Sequence, residues 1–269
     1  MDNRSIGIFD SGLGGLTAVR ELASLMPCED IIYFGDTGRV PYGTKGKETI
    51  IKYALQDIRF LLSFDVKAIV IACGSVSSTA FEQVCAMSPV PVIGVLSPAV
   101  NSAVSKTKNG KIGVIGTSAT IRSGSFEKKI MKQLAQATVI NRACPMFVPL
   151  VENGYFSKDN DVVKLIAEEY LQELIGQVDT LILGCTHYPL LIDVISNIMG
   201  KNVELVDAGK ETAICTAKLL AEQGLLCDRE KTGRSKFFVS DSTDDFSKLA
   251  GIFLKHQVKE VHQIEIDKF

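Results

Sequence analysis

Short apolar runs without polar alternation recur along this 269-residue chain, and amphipathic stretches with helical periodicity separate them. Strands that are apolar throughout are buried on both faces, which is typical of parallel sheets covered by helices. Strands are predicted at residues 5–10, 30–36, 68–73, 91–96, 111–117, 138–144, 179–185, 202–209 and 235–241. Helices are predicted at residues 14–26, 45–64, 122–135, 159–175, 189–199, 211–223 and 244–254. This pattern predicts the α/β class.

A short internal repeat indicates that the fold consists of two related halves. The run "VKAIVIAC" at 66–73 aligns without gaps on "VDTLILGC" at 178–185, and "IGIFD" at 6–10 resembles "IGVIG" at 112–116. We therefore expect two pseudo-symmetric parallel-sheet α/β domains with the active site in the cleft between them. The predicted division assigns residues 1–97 plus 208–269 to the first domain and residues 98–207 to the second.

Composition excludes several classes of protein. Hydrophobic residues make up 46% of the chain, the net charge is −2, and basic residues are scattered, so a nucleic-acid surface is not expected. No apolar run approaches the roughly 20 residues that cross a bilayer. The N-terminus leads almost directly into a strand, so we expect no signal peptide and a cytoplasmic location. The seven cysteines have no Cys-x-x-Cys spacing, which argues against a metal cluster or a disulfide framework.

Polar residues follow four of the predicted strands, where ligands bind in open parallel sheets. They are Asp10 with Ser11, Asp36, Cys73, and the run from Cys185 to His187. A single cysteine in such a place is usually packing material, but here two occupy matching places in the repeat. The glycine-rich "DSGLGG" at 10–15 lacks the spacing of a nucleotide-binding loop and favours a tight turn. The loop "GDTGRVPYGTKG" at 35–46 either covers a pocket or is a plain exposed connection.

Two matched thiols favour one reaction class over the others. A protease or acyltransferase needs a single nucleophile, and a disulfide reductase usually carries its cysteines close in sequence. A racemase needs two acid/base groups, because one removes the Cα proton from one face and the other returns a proton to the opposite face. A pyridoxal-dependent racemase would leave the thiols unexplained, and no lysine is placed at a strand end to carry the cofactor.

Four blocks of the chain closely resemble bacterial glutamate racemases, of the aspartate/glutamate racemase superfamily. They are "IGIFDSGLGGLTAVREL", "YFGDTGRVPYGTKG", "VIACGSVSST" and "LILGCTHYPLL", and the resemblance runs from about Ile6 to the helix after Asp207. The resemblance implies cofactor-independent interconversion of L- and D-glutamate by a two-cysteine mechanism, which supplies D-glutamate for peptidoglycan. It also implies a homodimer with no metal.

The same resemblance implies roles for particular residues. Cys73 and Cys185 would be the two acid/base groups, and Asp10, Glu152 and His187 would assist the proton transfers. The substrate-binding positions would be Asp10, Ser11, Pro41, Tyr42, Gly43, Gly74, Ser75, Thr186 and His187.

One departure from the family pattern lies beside the first cysteine. The family usually has Cys-Asn-Thr, whereas this chain has Cys73-Gly74-Ser75. Losing a hydrogen bond to a charged ligand group costs about 1.5–3 kcal/mol. We therefore expect Gly74 to leave a gap that water fills, and Gly74→Asn to improve substrate affinity. Two alternatives follow from this departure: a racemase of aspartate or another acidic amino acid, and a binding or regulatory homologue that lost turnover.

Overall fold

The computed structural model describes residues 1–258 and 260–269 as strands and helices that alternate along the chain. The strands formed by these residues are β1 Ser5–Asp10, β2 Ile31–Gly35, β3 Val66–Ile71, β4 Val92–Gly94, β5 Lys111–Gly116, β6 Thr138–Ala143, β7 Thr180–Leu183, β8 Glu204–Asp207, β9 Ser235–Val239 and β10 Val261–Gln263. Every strand pair among them is parallel, as the apolar runs predicted.

The α-helices of the described residues cover the faces of the sheets. They are α1 Leu16–Leu25, α2 Lys47–Leu62, α3 Gly74–Thr79, α4 Phe81–Met87, α5 Leu96–Lys106, α6 Ser118–Ser123, α7 Ser125–Gln133, α8 Phe147–Glu152, α9 Asp161–Leu171, α10 Ile192–Met199, α11 Ala208–Glu222 and α12 Thr243–Leu254. Short 3₁₀ turns lie at Thr37–Arg39, Tyr42–Thr44, Tyr188–Leu191 and Ile266–Lys268. Among the described residues, no helix combines the length and apolar character that crossing a bilayer requires.

Two separate sheets carry the strands. The first has the order β10-β9-β2-β1-β3-β4, and the second has the order β6-β5-β7-β8. The order β6-β5-β7-β8 of the second sheet has the same pattern as β2-β1-β3-β4 within the first sheet. The register repeats too, because Gly7 pairs with Ile69 in the first sheet and Gly113 pairs with Leu181 in the second. The prediction of two pseudo-symmetric parallel-sheet halves is confirmed, while the domain boundaries at 97/98 and 207/208 remain a prediction.

Burial on both faces explains why the strands are apolar throughout. On one face of the first sheet, Ile8, Tyr33 and Val70 belong to one buried cluster, whereas Phe9 and Phe34 belong to another on the opposite face. Alternate residues of one strand therefore enter different cores, and neither face tolerates polar side chains.

The C-terminal region differs from the sequence-based expectation. The sequence predicted no strand after residue 241, but Val261–Gln263 forms β10, which pairs with β9 at the edge of the first sheet. Three residues are too few for a recognisable apolar alternation. The side chain of His262 is nevertheless partly exposed, beside Glu260.

Candidate active site

The two repeat-related cysteines lie where the two halves of the molecule meet. Cys73 follows β3 and caps α3, while Cys185 follows β7, and both side chains are buried. The residues beside them are in close contact, because a Cβ atom built on Gly74 would lie 2.1 Å from the carbonyl oxygen of Gly184. Parallel-sheet topology therefore brings both thiols to one interface, as the strand-end positions indicated.

The expectation that Gly74 leaves a gap for water is wrong on steric grounds. The space that an asparagine side chain would need is occupied by the backbone of Gly184 rather than by a gap for water. A real Cβ does not approach a backbone oxygen at 2.1 Å, so any larger residue would force the two backbones apart. Glycine at this position permits the close approach of the two cysteine-bearing turns.

The surroundings of Cys73 favour its neutral form. Burial and the nearby charge of Asp10 raise the pKa of the Cys73 thiol to about 12. The thiol contacts the Ser11 hydroxyl at 3.6 Å from Sγ to Oγ. Asp10 is itself fully buried at the end of β1, and its Oδ2 accepts the backbone N–H of Gly12 at 2.9 Å. Burial raises the pKa of Asp10, although the charge of His187 opposes that shift.

Cys185 belongs to a row of contacting polar groups in the second half, formed with His187 and Glu152. Its Sγ lies 3.8 Å from Nδ1 of His187, and Nε2 of the same ring lies 3.0 Å from Oε1 of Glu152. Burial lowers the pKa of His187, but its hydrogen bonds to Cys185 and Glu152 outweigh burial and raise the pKa to about 10. An imidazolium next to the sulfur stabilises a thiolate, so this arrangement suits an acid/base cysteine.

The glycine-rich turn at residues 10–15 of the first half packs closely against the second half. The Thr186 hydroxyl lies 3.5 Å from Oδ1 of Asp10, and the Thr186 carbonyl accepts the Thr17 hydroxyl at 3.0 Å. A Cβ atom on Gly14 would lie 2.1 Å from Oγ1 of Thr186. The glycine-rich turn thus serves close approach between the halves.

The loop between β2 and α2 reaches the same interface. A Cβ on Gly43 would lie 2.7 Å from Cβ of Thr117 in the second half, so this backbone packs against that residue. The Tyr42 hydroxyl is buried and donates to the carboxylates of Asp36 and Asp57. Its phenol is therefore occupied within the protein, and a substrate contact at Tyr42 would use the backbone. Pro41 precedes it and is exposed.

Sequence reasoning missed a group of hydroxyls that joins the two halves. Ser75 Oγ lies 2.9 Å from Thr117 Oγ1, which lies 3.1 Å from Thr120 Oγ1. Thr117 follows β5, so the internal repeat places it at the position equivalent to Ser11 after β1. Applying the repeat to every strand end, and not to the cysteines alone, would have identified it. Among the described residues, no group of three or more His, Cys, Asp and Glu side chains could hold a metal ion.

The fold and this interface define an α/β enzyme of the racemase class, with paired thiols between two related halves. Comparison with known proteins agrees, because residues 18–214 match the family model described as Asp/Glu/Hydantoin racemase. The chain belongs to this family and is an isomerase. The resemblance to glutamate racemases that the motifs indicated is confirmed.

Individual relatives are similar over their whole length. The glutamate racemase of Geobacter metallireducens is 44% identical over 98% of this chain and 97% of its own. The crystal structure of a glutamate racemase isoform from Bacillus anthracis superposes with a TM-score of 0.94 at 35% identity, covering 98% of both chains. A glutamate racemase of Francisella tularensis in complex with D-glutamate gives a TM-score of 0.93 at 38% identity, covering 100% of both.

Proposed function

We propose that this protein interconverts L- and D-glutamate with Cys73 and Cys185 as the two acid/base groups. The observation that carries the proposal is the pair of thiols at repeat-equivalent strand ends, with the glycines beside them in contact across the interface. The full-length similarity to glutamate racemases, one of them bound to D-glutamate, supports glutamate as the substrate.

In the proposed reaction, one cysteine acts as a thiolate and removes the proton from Cα of the bound amino acid. The electron pair left on Cα is delocalised toward the substrate carboxylate. The other cysteine, as a neutral thiol, then delivers its proton to the opposite face of Cα. The first sulfur ends protonated and the second ends as a thiolate, so the reverse reaction uses the same groups with exchanged roles.

Neighbouring groups support both steps. The ammonium group of the substrate carries a positive charge that Asp10 can balance, and a cation near Cys73 favours its thiolate. His187, held by Glu152, lies within hydrogen-bonding reach of Cys185 and is placed to support its proton transfer. Hydroxyls of Ser11, Ser75 and Thr186 and backbone N–H groups of Gly43 and Gly74 are suited to donate hydrogen bonds to the substrate carboxylates.

We also propose a cellular setting for this reaction. D-Glutamate made in this way would supply peptidoglycan synthesis. A cytoplasmic location agrees with the seven free cysteines of the described residues, since reducing compartments preserve thiols. A homodimer, implied by the sequence resemblance, is checked by light scattering of the purified protein.

The test is circular dichroism of L-glutamate, D-glutamate and L-aspartate incubated with the protein and no added cofactor. Both glutamate enantiomers should lose optical activity, while L-aspartate should remain unchanged. Cys73→Ser and Cys185→Ser should each abolish racemisation, because either direction needs both sulfurs. Cys85→Ser and Cys215→Ser, at half-buried thiols outside the interface, are the matched controls. Near-normal turnover in either of the first two variants would contradict the two-cysteine mechanism.

A further inference from the structure

A fully buried phenol contacts the turn that follows β1, and the proposed reaction does not use it. Tyr33 belongs to β2, and its side chain has no exposed surface. Its hydroxyl donates to the carbonyl oxygen of Gly12 at 2.7 Å. A phenylalanine would fill the same volume in this strand without a polar atom to desolvate, so the hydroxyl itself needs an explanation.

The carbonyl of Gly12 depends on this hydroxyl. Gly12 is buried, and among residues 1–258 and 260–269 the Tyr33 hydroxyl is the one donor to its carbonyl. A Cβ atom built on Gly35 would collide with the same oxygen, so the carbonyl lies directly against the backbone of β2. Removing the hydroxyl would therefore leave an unpaired acceptor in a closely packed place, which is unfavourable.

The same turn holds the carboxylate of Asp10. The N–H of Gly12 donates to Oδ2 of Asp10 at 2.9 Å, and the N–H of Asp36 donates to the Asp10 carbonyl at 3.1 Å. Burial raises the pKa of Asp10, while the charge of His187 and the backbone N–H groups of Gly12 and Gly15 oppose that shift. The geometry of the turn therefore affects how readily this carboxylate stays ionised.

Aromatic packing holds the Tyr33 ring in place. Its centroid lies 6.2 Å from that of Phe237 in β9 and 6.1 Å from that of Phe246 in α12, and both neighbouring rings are buried. Aromatic rings at such separations pack favourably. The hydroxyl is thus directed at Gly12 by a rigid ring, which suits a group that fixes the position of a turn.

We propose that Tyr33 is a positioning residue for racemisation, because its hydroxyl fixes the turn whose N–H groups hold Asp10. This proposal rests on the proposed function, in which Asp10 balances the substrate ammonium group and supports Cys73. Tyr33 acts through Gly12 and transfers no proton itself. Burial and the charge of Asp10 raise the pKa of the Tyr33 phenol well above the ordinary 10, so the hydroxyl remains a donor.

The consequence of losing the hydroxyl is a shift in the ionisation of Asp10. The titratable groups whose charges interact with Asp10 are Tyr33, Asp57, Cys73, Glu152 and His187. Tyr33→Phe removes a neutral phenol and leaves the other charges in place. A looser turn weakens the N–H bond from Gly12 to the carboxylate, which favours protonation. The pKa of Asp10 should therefore rise, and the carboxylate should be lost at a higher pH as the pH falls.

The experiment compares Tyr33→Phe with the wild type over the acidic range. In Tyr33→Phe, kcat/KM should fall about tenfold in both directions, near the upper end of what one neutral hydrogen bond contributes. The acid limb of its pH profile should move to higher pH. The control is Tyr188→Phe, which removes the same kind of bond, from a fully buried phenol to the carbonyl of Cys144 at 2.8 Å. It should lower thermal stability by a similar amount and leave the acid limb in place.

A ¹³C NMR titration of the Asp10 carboxyl, assigned with Asp10→Asn, measures the same shift without turnover. The pKa of Asp10 should be higher in Tyr33→Phe than in the wild type and unchanged in Tyr188→Phe. An unchanged pKa in Tyr33→Phe overturns the proposal, as does a raised pKa with wild-type kcat/KM. An equal shift in both variants means general loosening and overturns it too. If the wild type does not racemise glutamate, the proposed function fails, and the NMR comparison still decides whether Tyr33 holds Asp10.

Discussion

At the residue scale, Gly74 determines how closely the two cysteine-bearing turns approach. We expect Gly74→Ala and Gly74→Asn to lower kcat/KM at least about tenfold, because displacements near 1 Å in a reaction site cost up to a hundredfold. The added Cβ would meet the carbonyl oxygen of Gly184, which is backbone and cannot rotate away. Steady-state kinetics with both glutamate enantiomers is the measurement.

The matched control for Gly74 is Gly251→Ala in α12. A Cβ there meets its nearest atom, the carbonyl oxygen of His256, at an ordinary 3.7 Å, so the protein should keep its activity. Thermal unfolding of both variants separates a misplaced site from a misfolded chain. A gain of kcat/KM in Gly74→Asn would mean that the halves do not close as they do in this structure.

We expect the pair of His187 and Glu152 to make activity depend on pH. The pKa of His187 is raised from the ordinary 6.5 to about 10. The ring is therefore fully protonated below pH 6.5, stays largely protonated well above it, and loses its proton as the pH rises through 10. Glu152→Gln removes one of the groups that raise this pKa, so the alkaline limb of the pH–rate profile should move to lower pH. Turnover should fall by up to about a hundredfold, the lower end of what a positioned acid/base group contributes.

The fall in kcat should be unequal in the two directions of the reaction, because His187 contacts Cys185 and not Cys73. The ratio kcat/KM must fall equally in both directions, because the two enantiomers have the same free energy. Glu168→Gln, at an exposed position of α9, makes the same chemical change away from the site and is the control. An unchanged alkaline limb in Glu152→Gln would show that His187 does not need this carboxylate to stay protonated.

Some of these residues could be predicted from the sequence and others could not. Asp10, Cys73 and Cys185 were identified because side chains that follow parallel strands meet at one edge of the sheet. The contact between His187 and Glu152 joins two segments far apart in the chain, and no local pattern encodes the geometry of such a pair. The Gly74 contact depends on the relative placement of the two halves, which periodicity does not report.

At the scale of secondary-structure elements, a buried charge cluster fastens the loop after β2 to α2. Arg39 donates to Asp36 at 2.6 Å and to Asp57 at 3.1 Å, and both carboxylates are fully buried. Gln56 accepts a hydrogen bond from the same guanidinium at 2.6 Å. The centroid of the Tyr53 ring lies 4.1 Å from Cζ of Arg39. This cluster fixes the segment from Pro41 to Gly43 against Thr117, so it positions the loop.

We expect Arg39→Met to destabilise the protein by about 3–5 kcal/mol at neutral pH, because two buried carboxylates lose their cation. Burial and the charge of Asp36 already raise the pKa of Asp57, so Asp57 protonates readily once the guanidinium is gone. Protonation removes the uncompensated charge, and the deficit in unfolding free energy should therefore shrink as pH falls. Urea unfolding across the acidic range measures this.

Arg59→Met is the control for Arg39→Met. Arg59 lies on the exposed face of α2 and bonds the backbone oxygen of Phe269, so its loss should cost little at any pH. Arg39→Met should also raise KM for glutamate more than it lowers kcat, because the loop carries proposed substrate-binding positions and none of the proposed acid/base groups. A deficit that stays constant with pH would argue against unpaired Asp36 and Asp57 as its cause.

The long helices were predictable because several turns establish a helical period of apolar residues, and the long strands because each is a continuous apolar run. The short helices α3, α6 and α8 have six residues each, which is less than two turns and too few to show one. Helix α5 was missed for another reason. Pro98 lies in its first turn, where proline is tolerated, whereas the sequence predicted a domain boundary at 97/98 and no helix there.

At the scale of the whole molecule, the fold is a duplicated sheet whose halves meet at the proposed reaction site. Cys73 is 4% exposed, Cys185 is 8% exposed and Asp10 is fully buried. An amino acid cannot reach these groups while the halves are in contact, so the proposed reaction requires the halves to separate for binding and release. The duplicated topology suits this motion, because each half keeps its own sheet and its own thiol.

Alkylation with iodoacetamide, followed by mass spectrometry of each cysteine, measures that opening. Cys73 and Cys185 should react slowly, because both are buried and because burial raises the pKa of Cys73 and so lowers its thiolate fraction. D-Glutamate at about ten times its Kd should slow both thiols by a further factor of about ten, since it reduces the unliganded, opening population by that factor. Cys85, which is half-buried outside the interface, should react at the same rate with and without glutamate.

If glutamate protects Cys85 as strongly as Cys73, the protein responds by general tightening rather than by closure of its two halves. If it protects neither Cys73 nor Cys185, the amino acid binds elsewhere.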